Sequence, residues 1–208
     1  MRTLKGIKGI NFISRNEITK NDYIETILLI IRKILDYTSN LNQITPSLFD
    51  EKNIESEKED NTSASTSISS NEEKSNNSII EKEEEKYSLT DYLYLWVEIF
   101  NFDENLLILT MMNIDKILAK EFILTSDNVK NILFTCMVIT QKYYEDEYFN
   151  DKDYSKILKI NTKKLIEMEV ELLVLIDYSL YISEEEFNKY KNNMKNIWKK
   201  NLSLFNFT

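Results

Sequence analysis

Glycine and proline, the residues that make tight turns and break helices, are almost absent from this chain. Of 208 residues only two are glycine, Gly6 and Gly9, and one is proline, Pro46. Glycine reaches positive φ most easily, so tight glycine turns and phosphate-cradling loops are excluded after residue 9. With 42% hydrophobic residues, a chain of this length can build one modest core. The composition therefore predicts an all-α fold with one domain.

The inventory of reactive side chains is equally restricted. Histidine is absent and Cys136 is the only cysteine, which excludes Ser-His-Asp and Cys-His catalysis, Cys/His zinc sites and an intramolecular disulfide. No nucleophile, base and oxyanion donors can be assembled from what remains. We expect a protein that is not an enzyme and has no cofactor and no metal.

The net charge and the hydropathy of the chain restrict the ligands that it is expected to bind and the compartment in which it is expected. A net charge of -9 argues against nucleic acid, whose binding needs clustered basic residues. The longest apolar run near the N-terminus, ILLII at 27–31, is too short to span a bilayer, and no signal-type apolar region precedes it. We expect an intracellular protein, in the cytoplasm or the nucleus, with no nucleic-acid or membrane partner.

The acidity is concentrated in residues 50–86. This segment has 12 acidic and 5 basic residues, 8 serines and no aromatic residue, and carries -7 of the net charge. It has too little apolar surface to offset the entropy of ordering, so we predict a disordered insert. Two interpretations stay open: a low-complexity loop, or a switch in which phosphorylation of the Ser and Thr residues at 61–73 deepens the charge.

Outside the insert the apolar spacing is helical. One amphipathic helix is predicted at about 20–38, capped by Thr19 or Asn21. Five more segments follow in about 90 residues, and the second of them is apolar on nearly every side, which is typical of the centre of a bundle. Their predicted N-caps are, in order, Ser88 or Thr90, Asp103, Ser126, Asn150, and Asn161 or Thr162.

A last helix is predicted from a capping box at Ser183 and Glu186. It carries Phe187, Tyr190, Met194 and Trp198 on one stripe, so it either packs on the bundle or binds a partner. The predicted division of the chain is an N-terminal segment at 1–49, the insert at 50–86, a helical domain at 87–190, and a C-terminal helix and tail at 191–208.

Three motifs in this order resemble one known family. LTDYLYLWVEIFNFDENLLILTMMNIDKIL after Ser88, KYYEDEYFN at 142–150 and EMEVELLVLIDYSLYISEEEF at 167–187 together resemble the cyclin box of phosphate-pathway cyclins, also called P-type or U-type. The resemblance implies a single five-helix cyclin box with flanking N-terminal and C-terminal helices. The chain departs from the family at 158–160, where Leu-Lys-Ile replaces the common Gly-Gly-Ile and the turn must use residues less suited to positive φ.

The resemblance implies a regulatory subunit that binds a cyclin-dependent protein kinase at its regulatory C-helix and activates it, while catalysis stays in the kinase. Lys142 and Glu169 fall on the family positions that engage kinase backbone groups, the ammonium as donor and the carboxylate as acceptor. Five apolar positions are implied to form the surrounding contact surface: Ile139, Tyr143, Leu173, Tyr178 and Leu180.

Each of these residues also has a purely structural interpretation. Lys142 at a helix end faces the helix dipole, and the alternative interpretation of Glu169 is a solvated acid that pairs with Lys163 or Lys164 in the turn before. Tyr143, Tyr178 and Leu173 are spaced to suit a core as well as a surface. The acidic clusters at 145–147 and 184–186 lie near helix ends and are predicted to be solvated or capping residues.

Two other functions remain open at this point. A cyclin-box protein of the transcription machinery is expected to show a basic face, which the nearly neutral helical region does not favour. A cyclin-like interaction module that binds without activating a kinase would share the same fold and the same surface.

Overall fold

The computed structural model describes residues 18–39, 49–50 and 88–205. Within these ranges the chain forms seven α-helices and no strand, so the all-α prediction is confirmed. The predicted disordered insert lies outside the described residues, apart from Asp50 at its start. The helices are α1 (Lys20–Thr38), α2 (Leu89–Ile99), α3 (Glu104–Leu118), α4 (Val129–Tyr144), α5 (Asp151–Leu158), α6 (Thr162–Leu175) and α7 (Glu184–Phe205).

Most helices begin where the sequence predicted, because a short polar side chain satisfies the free N–H groups of the first turn. Thr19 and Ser88 form capping boxes with the aspartates three residues later. Asp103, Asn150 and Asn161 each accept a hydrogen bond from the backbone N–H three residues on.

The predicted start of α4 is wrong. Ser126 does not cap this helix, which begins three residues later at Val129. The side chain of Asn128 is used in the preceding turn, accepting from the N–H of Thr125 at 2.9 Å and donating to the carbonyl of Ile123 at 3.1 Å. These two bonds fix the turn before the helix starts, so the sequence position of a good N-cap residue misleads here.

The central pair of the fold is α3 and α4, which pack against each other. Nine of the fifteen residues of α3 and twelve of the sixteen residues of α4 are buried. The helix expected at the centre is therefore one of two, and α4 is the more enclosed. Apart from Lys130 in the first turn, the accessible residues of α4 lie in its C-terminal turn.

The flanking helices pack on this bundle. The first, α1, contacts α2, α3 and α7, and the carbonyl of Leu124 accepts a 2.7 Å hydrogen bond from Thr38. In α7, Met194 is buried and Tyr190 donates to Asp115 at 2.6 Å. Of the two interpretations of the last helix, packing on the bundle is the one that the structure shows.

Two further features hold the chain in place around the bundle. Phe49 is fully buried, and its carbonyl accepts a 2.6 Å hydrogen bond from Asn131 of α4. The turn after α5 is made by Lys159, whose φ of 59° and ψ of 38° are left-handed. A residue with a Cβ thus takes a conformation that glycine adopts more easily, and the turn brings α5 back against α6.

Candidate functional site

Lys142 lies in the last turn of α4, at the point where this otherwise buried helix reaches the surface. Its ammonium forms hydrogen bonds with both carboxylate oxygens of Glu169 in α6, at 2.8 and 2.7 Å from Nζ. The structure therefore brings together the two charged residues that the motifs singled out, 27 positions apart in the chain. Their side chains are only 22% and 13% exposed.

A third charged residue completes this group. Asp151, the first residue of α5, accepts a hydrogen bond from the same ammonium. The aromatic ring of Tyr154 lies one turn further along, with its centroid 5.7 Å from the Lys142 nitrogen. We call Lys142, Asp151 and Glu169 the charged triad, in which one cation faces two carboxylates and sits near an aromatic ring that favours a cation.

Burial and charge act in opposite directions on the pKa values of this triad. Burial alone would lower the pKa of Lys142, but the hydrogen bonds to Asp151 and Glu169 outweigh it and the pKa is raised. For Glu169, burial raises the pKa, the hydrogen bonds from Lys142 oppose the rise, and the nearby Asp151 carboxylate adds to it. The lysine therefore stays charged at neutral pH.

The structural interpretations of Glu169 and Lys142 can be compared with this geometry. Glu169 bonds to Lys142 and not to Lys163, whose nitrogen lies 3.5 Å from Glu167 instead. Lys164 is a buried residue of α6. The position of Lys142 at a helix end does place it near the negative pole of the dipole, but its hydrogen bonds go to carboxylates from two other helices.

The apolar residues expected around the triad divide into two groups. Tyr143 and Tyr178 are displayed, with 49% and 65% of their surface exposed, and Leu173 is partly buried against the core. The placement of Ile139 and Leu180 on this surface has to be corrected, since they are only 4% and 9% exposed and belong to the core cluster. Ile139 lies in the enclosed part of α4, where every face is covered.

Tyr178 lies in a short segment after α6 that is hydrogen-bonded to α3 and α4. Asp177 and Tyr178 both have left-handed φ values, 52° and 55°. Lys116 donates to the carbonyl of Ser179 at 2.6 Å, and Tyr144 donates to the carbonyl of Leu180 at 2.8 Å. These bonds fix the exposed tyrosine in position although it lies outside any helix.

One apolar feature was missed by the sequence reasoning. Ile166, Val170 and Val174 recur every four residues on α6 and are all exposed, whereas Leu165, Met168 and Leu172 cover the buried face. Residues spaced by four lie on one face of a helix, so α6 carries an exposed apolar stripe next to Glu169. The regular spacing was readable in IEMEVELLVL at 166–175, but it did not tell which face would be buried.

Within the described ranges no three His, Cys, Asp or Glu side chains are grouped so as to hold a metal ion. Among the helices in the described part of the chain, none combines the length and hydropathy that a bilayer-spanning segment requires.

The family model of the cyclin N-terminal domain matches residues 52–181, more than half of the chain. Its match includes α2 to α6 and the whole charged triad. It also begins inside the acidic segment, earlier than the predicted start of the box at residue 87, and the predicted division into segments stays a prediction.

Curated relatives agree with this family. The chain is 31% identical to PHO85 cyclin-7 of Saccharomyces cerevisiae over 37% of this chain and 27% of that protein. It is 32% identical to Cyclin-U1-1 of Arabidopsis thaliana over 33% of this chain and 32% of that protein, and 27% identical to Cyclin-P3-1 of rice over 44% and 41%. The aligned part thus spans about a quarter to two-fifths of the length of these relatives. With a helical bundle of the expected order, a match to the cyclin domain and relatives among the P-type and U-type cyclins, the chain belongs to the cyclin family and is of the P/U type.

Proposed function

We propose that this chain is a regulatory subunit that binds a cyclin-dependent protein kinase at its regulatory C-helix and activates it. The observation that carries the proposal is the assembled pair of Lys142 and Glu169 at the edge of an exposed apolar surface. The ammonium is a donor for kinase backbone carbonyls, and the carboxylate is an acceptor for kinase backbone amides. Charge-assisted bonds of this kind gain strength when a partner excludes water from them.

The apolar surroundings favour a partner that offers an apolar helix face. Tyr143 and Tyr178 provide large aromatic contacts, and the stripe of α6 adds three aliphatic side chains. Interface cores are enriched in aromatic residues and depleted in charge, and a contiguous exposed apolar patch on a protein surface commonly marks such an interface. A partly buried charged pair next to an exposed apolar helix face therefore favours a docking site for a protein over a solvated ion pair.

The proposed mechanism places all catalysis in the kinase. A kinase C-helix that is held outward keeps its glutamate away from the phosphate-binding lysine. Binding that is stronger to the inward position shifts the kinase population to the active form. The name of the yeast relative associates that protein with PHO85. As part of the proposal we assign to this chain a cyclin-dependent kinase as partner and an intracellular location.

The test is a pull-down from the cells that express the protein, followed by a kinase assay on the retained material. Immobilised wild type is compared with the double variant Lys142→Ala, Glu169→Ala. The matched control is Lys156→Ala, Asp153→Ala, which removes an exposed lysine–aspartate pair of α5 and leaves the triad intact. Circular dichroism verifies that all three proteins are folded.

The proposal predicts that wild type and control retain an active cyclin-dependent kinase and that the triad variant does not. Retention of the same kinase by all three proteins would contradict the role of the pair. A kinase that is retained by wild type but stays inactive would replace activation with the interaction-module function.

A further inference from the structure

The hydrogen bonds of the Lys142 ammonium in the unbound chain go to carboxylates. A lysine side chain offers three N–H groups, and three carboxylate oxygens accept from this one: two of Glu169 and one of Asp151. A partner carbonyl that is to accept a hydrogen bond from Lys142 therefore competes with these carboxylates for the ammonium. One of the two carboxylates then loses its hydrogen bond to Lys142.

The two carboxylates differ in how firmly they are held. Glu169 makes two bonds to Lys142 and its side chain is 13% exposed, whereas Asp151 makes one bond and is 38% exposed. Asp151 is also the first residue of α5, where the free N–H groups and the helix dipole stabilise a carboxylate without any lysine. Releasing Asp151 to water therefore costs less than releasing Glu169.

The geometry points to Asp151 as a placeholder for the partner. In the unbound chain Asp151 occupies the N–H donor of Lys142 that the backbone carbonyl of the docked protein takes over, and Asp151 turns to solvent when docking occurs. This inference rests on the proposed function, because it assigns a step to kinase docking. Asp151 acts through Lys142 and is a positioning residue, not a contact residue.

A placeholder weakens docking, since its own bond must be broken first. Replacing Asp151 by Asn keeps the shape but supplies a neutral, weaker acceptor, while the bonds between Lys142 and Glu169 stay in place. Because one charge-assisted bond no longer competes, we expect the kinase to bind roughly three- to tenfold more tightly. Asp151→Ser, which also suits the start of a helix, is expected to act in the same direction and guards against a fold defect of the first variant.

The test measures the dissociation constant by calorimetry for the purified cyclin-dependent kinase that wild type retains. The control is Asp153→Asn, which removes the same charge from the same turn of α5 but contacts Asn150 and Lys156 instead of Lys142. It is expected to bind as wild type does. The decisive variant combines Asp151→Asn with Lys142→Met. Without the lysine there is no donor for Asp151 to occupy, so the double variant is expected to have the same dissociation constant as Lys142→Met alone.

Three results would overturn the inference, and they are distinguishable from failure of the proposed function. Weaker or unchanged binding of both Asp151 variants would contradict competition, and so would equal tightening by Asp153→Asn. Tightening that persists without Lys142 would show an effect on α5 itself. If wild type retains no cyclin-dependent kinase at all, the proposed function fails and this inference fails with it.

Discussion

Two lysine–carboxylate pairs in this molecule differ in their surroundings. Lys142 with Glu169 lies between α4 and α6, and its side chains are 22% and 13% exposed. Lys120 with Asp177 joins the end of α3 to the segment after α6, and its side chains are 48% and 72% exposed. Each lysine stands at or just beyond the C-terminus of a central helix, where the dipole favours a cation.

The difference shows what burial does to an ion pair. An exposed pair is screened by water and salt and contributes about 0–1 kcal/mol to stability. A partly buried pair has given up much of its hydration, so each charge depends on its partner and leaving one of them alone is costly. The charges of the triad therefore depend on one another, whereas those of the Lys120 pair are largely solvated.

The largest expected effect that separates the two pairs is on kinase binding. Lys142→Met removes the donor for backbone carbonyls at an interface that excludes water, and we expect a loss of roughly 2–5 kcal/mol in binding free energy. Lys120→Met is expected to change the dissociation constant by less than about threefold, as is usual for exposed charges. Calorimetric titration of the retained kinase with both variants measures the contrast, and equal losses would show that the triad has no special role.

The next effect is on the stability of the unbound chain. Lys142→Met leaves the carboxylates of Asp151 and Glu169 facing each other without a cation, so the free energy of unfolding should fall by about 3 kcal/mol. Lys120→Met should lower it by no more than about 1 kcal/mol. Urea denaturation at neutral pH, followed by circular dichroism, gives both values. A fall in the Lys142 variant as small as in the Lys120 variant would mean that the triad is solvated.

The helix starts and the pairing of Lys142 with Glu169 could be predicted from the sequence. The signals for them lie in short stretches of neighbouring residues. Helix starts at Ser88, Asp103 and Asn150 followed from capping chemistry that involves only three or four successive residues. The resemblance placed Lys142 and Glu169 in one site because the motifs that carry them come in a family order. Neither capping nor motif order needs a knowledge of distances between helices.

The parts that could not be predicted depend on tertiary contacts. Asp151 reaches Lys142 only because the chain reverses between α4 and α5, and no periodicity records that approach. The resemblance placed Ile139 and Leu180 on the contact surface, but their burial depends on which neighbours cover them. Ser126 does not have its predicted role, because the turn is closed by the side chain of Asn128 and the helix begins after it.

A smaller effect is expected from salt, which should change the stability loss of the two lysine variants by different amounts. Raising the ionic strength from about 0.05 to 0.5 M shortens the screening length to a few ångströms for exposed charges. The destabilisation caused by Lys120→Met should then disappear, while most of that caused by Lys142→Met should persist, because its partners are shielded from ions. Repeating the urea series at both salt concentrations measures this, and equal salt sensitivity of the two variants would contradict the difference in burial.

The smallest effect concerns the titration of two glutamates that share the same ordinary pKa of 4.5. Burial raises the pKa of Glu169, whereas hydrogen bonds from the backbone and hydroxyl of Ser183 lower that of Glu186, which caps α7. A raised carboxyl pKa makes the folded state hold its proton longer than the unfolded state, so the contribution of Glu169 to stability falls as pH rises through 4.5 towards its folded pKa. The lowered pKa of Glu186 has the opposite effect on stability: its contribution is present above pH 4.5 and is lost as pH falls through the folded pKa.

Carbon NMR of the side-chain carboxyls, assigned with Glu169→Gln and Glu186→Gln, should show Glu169 protonating first on acidification. The reverse order would mean that the bonds from Lys142 dominate over burial and that the triad is held more tightly than its exposure indicates.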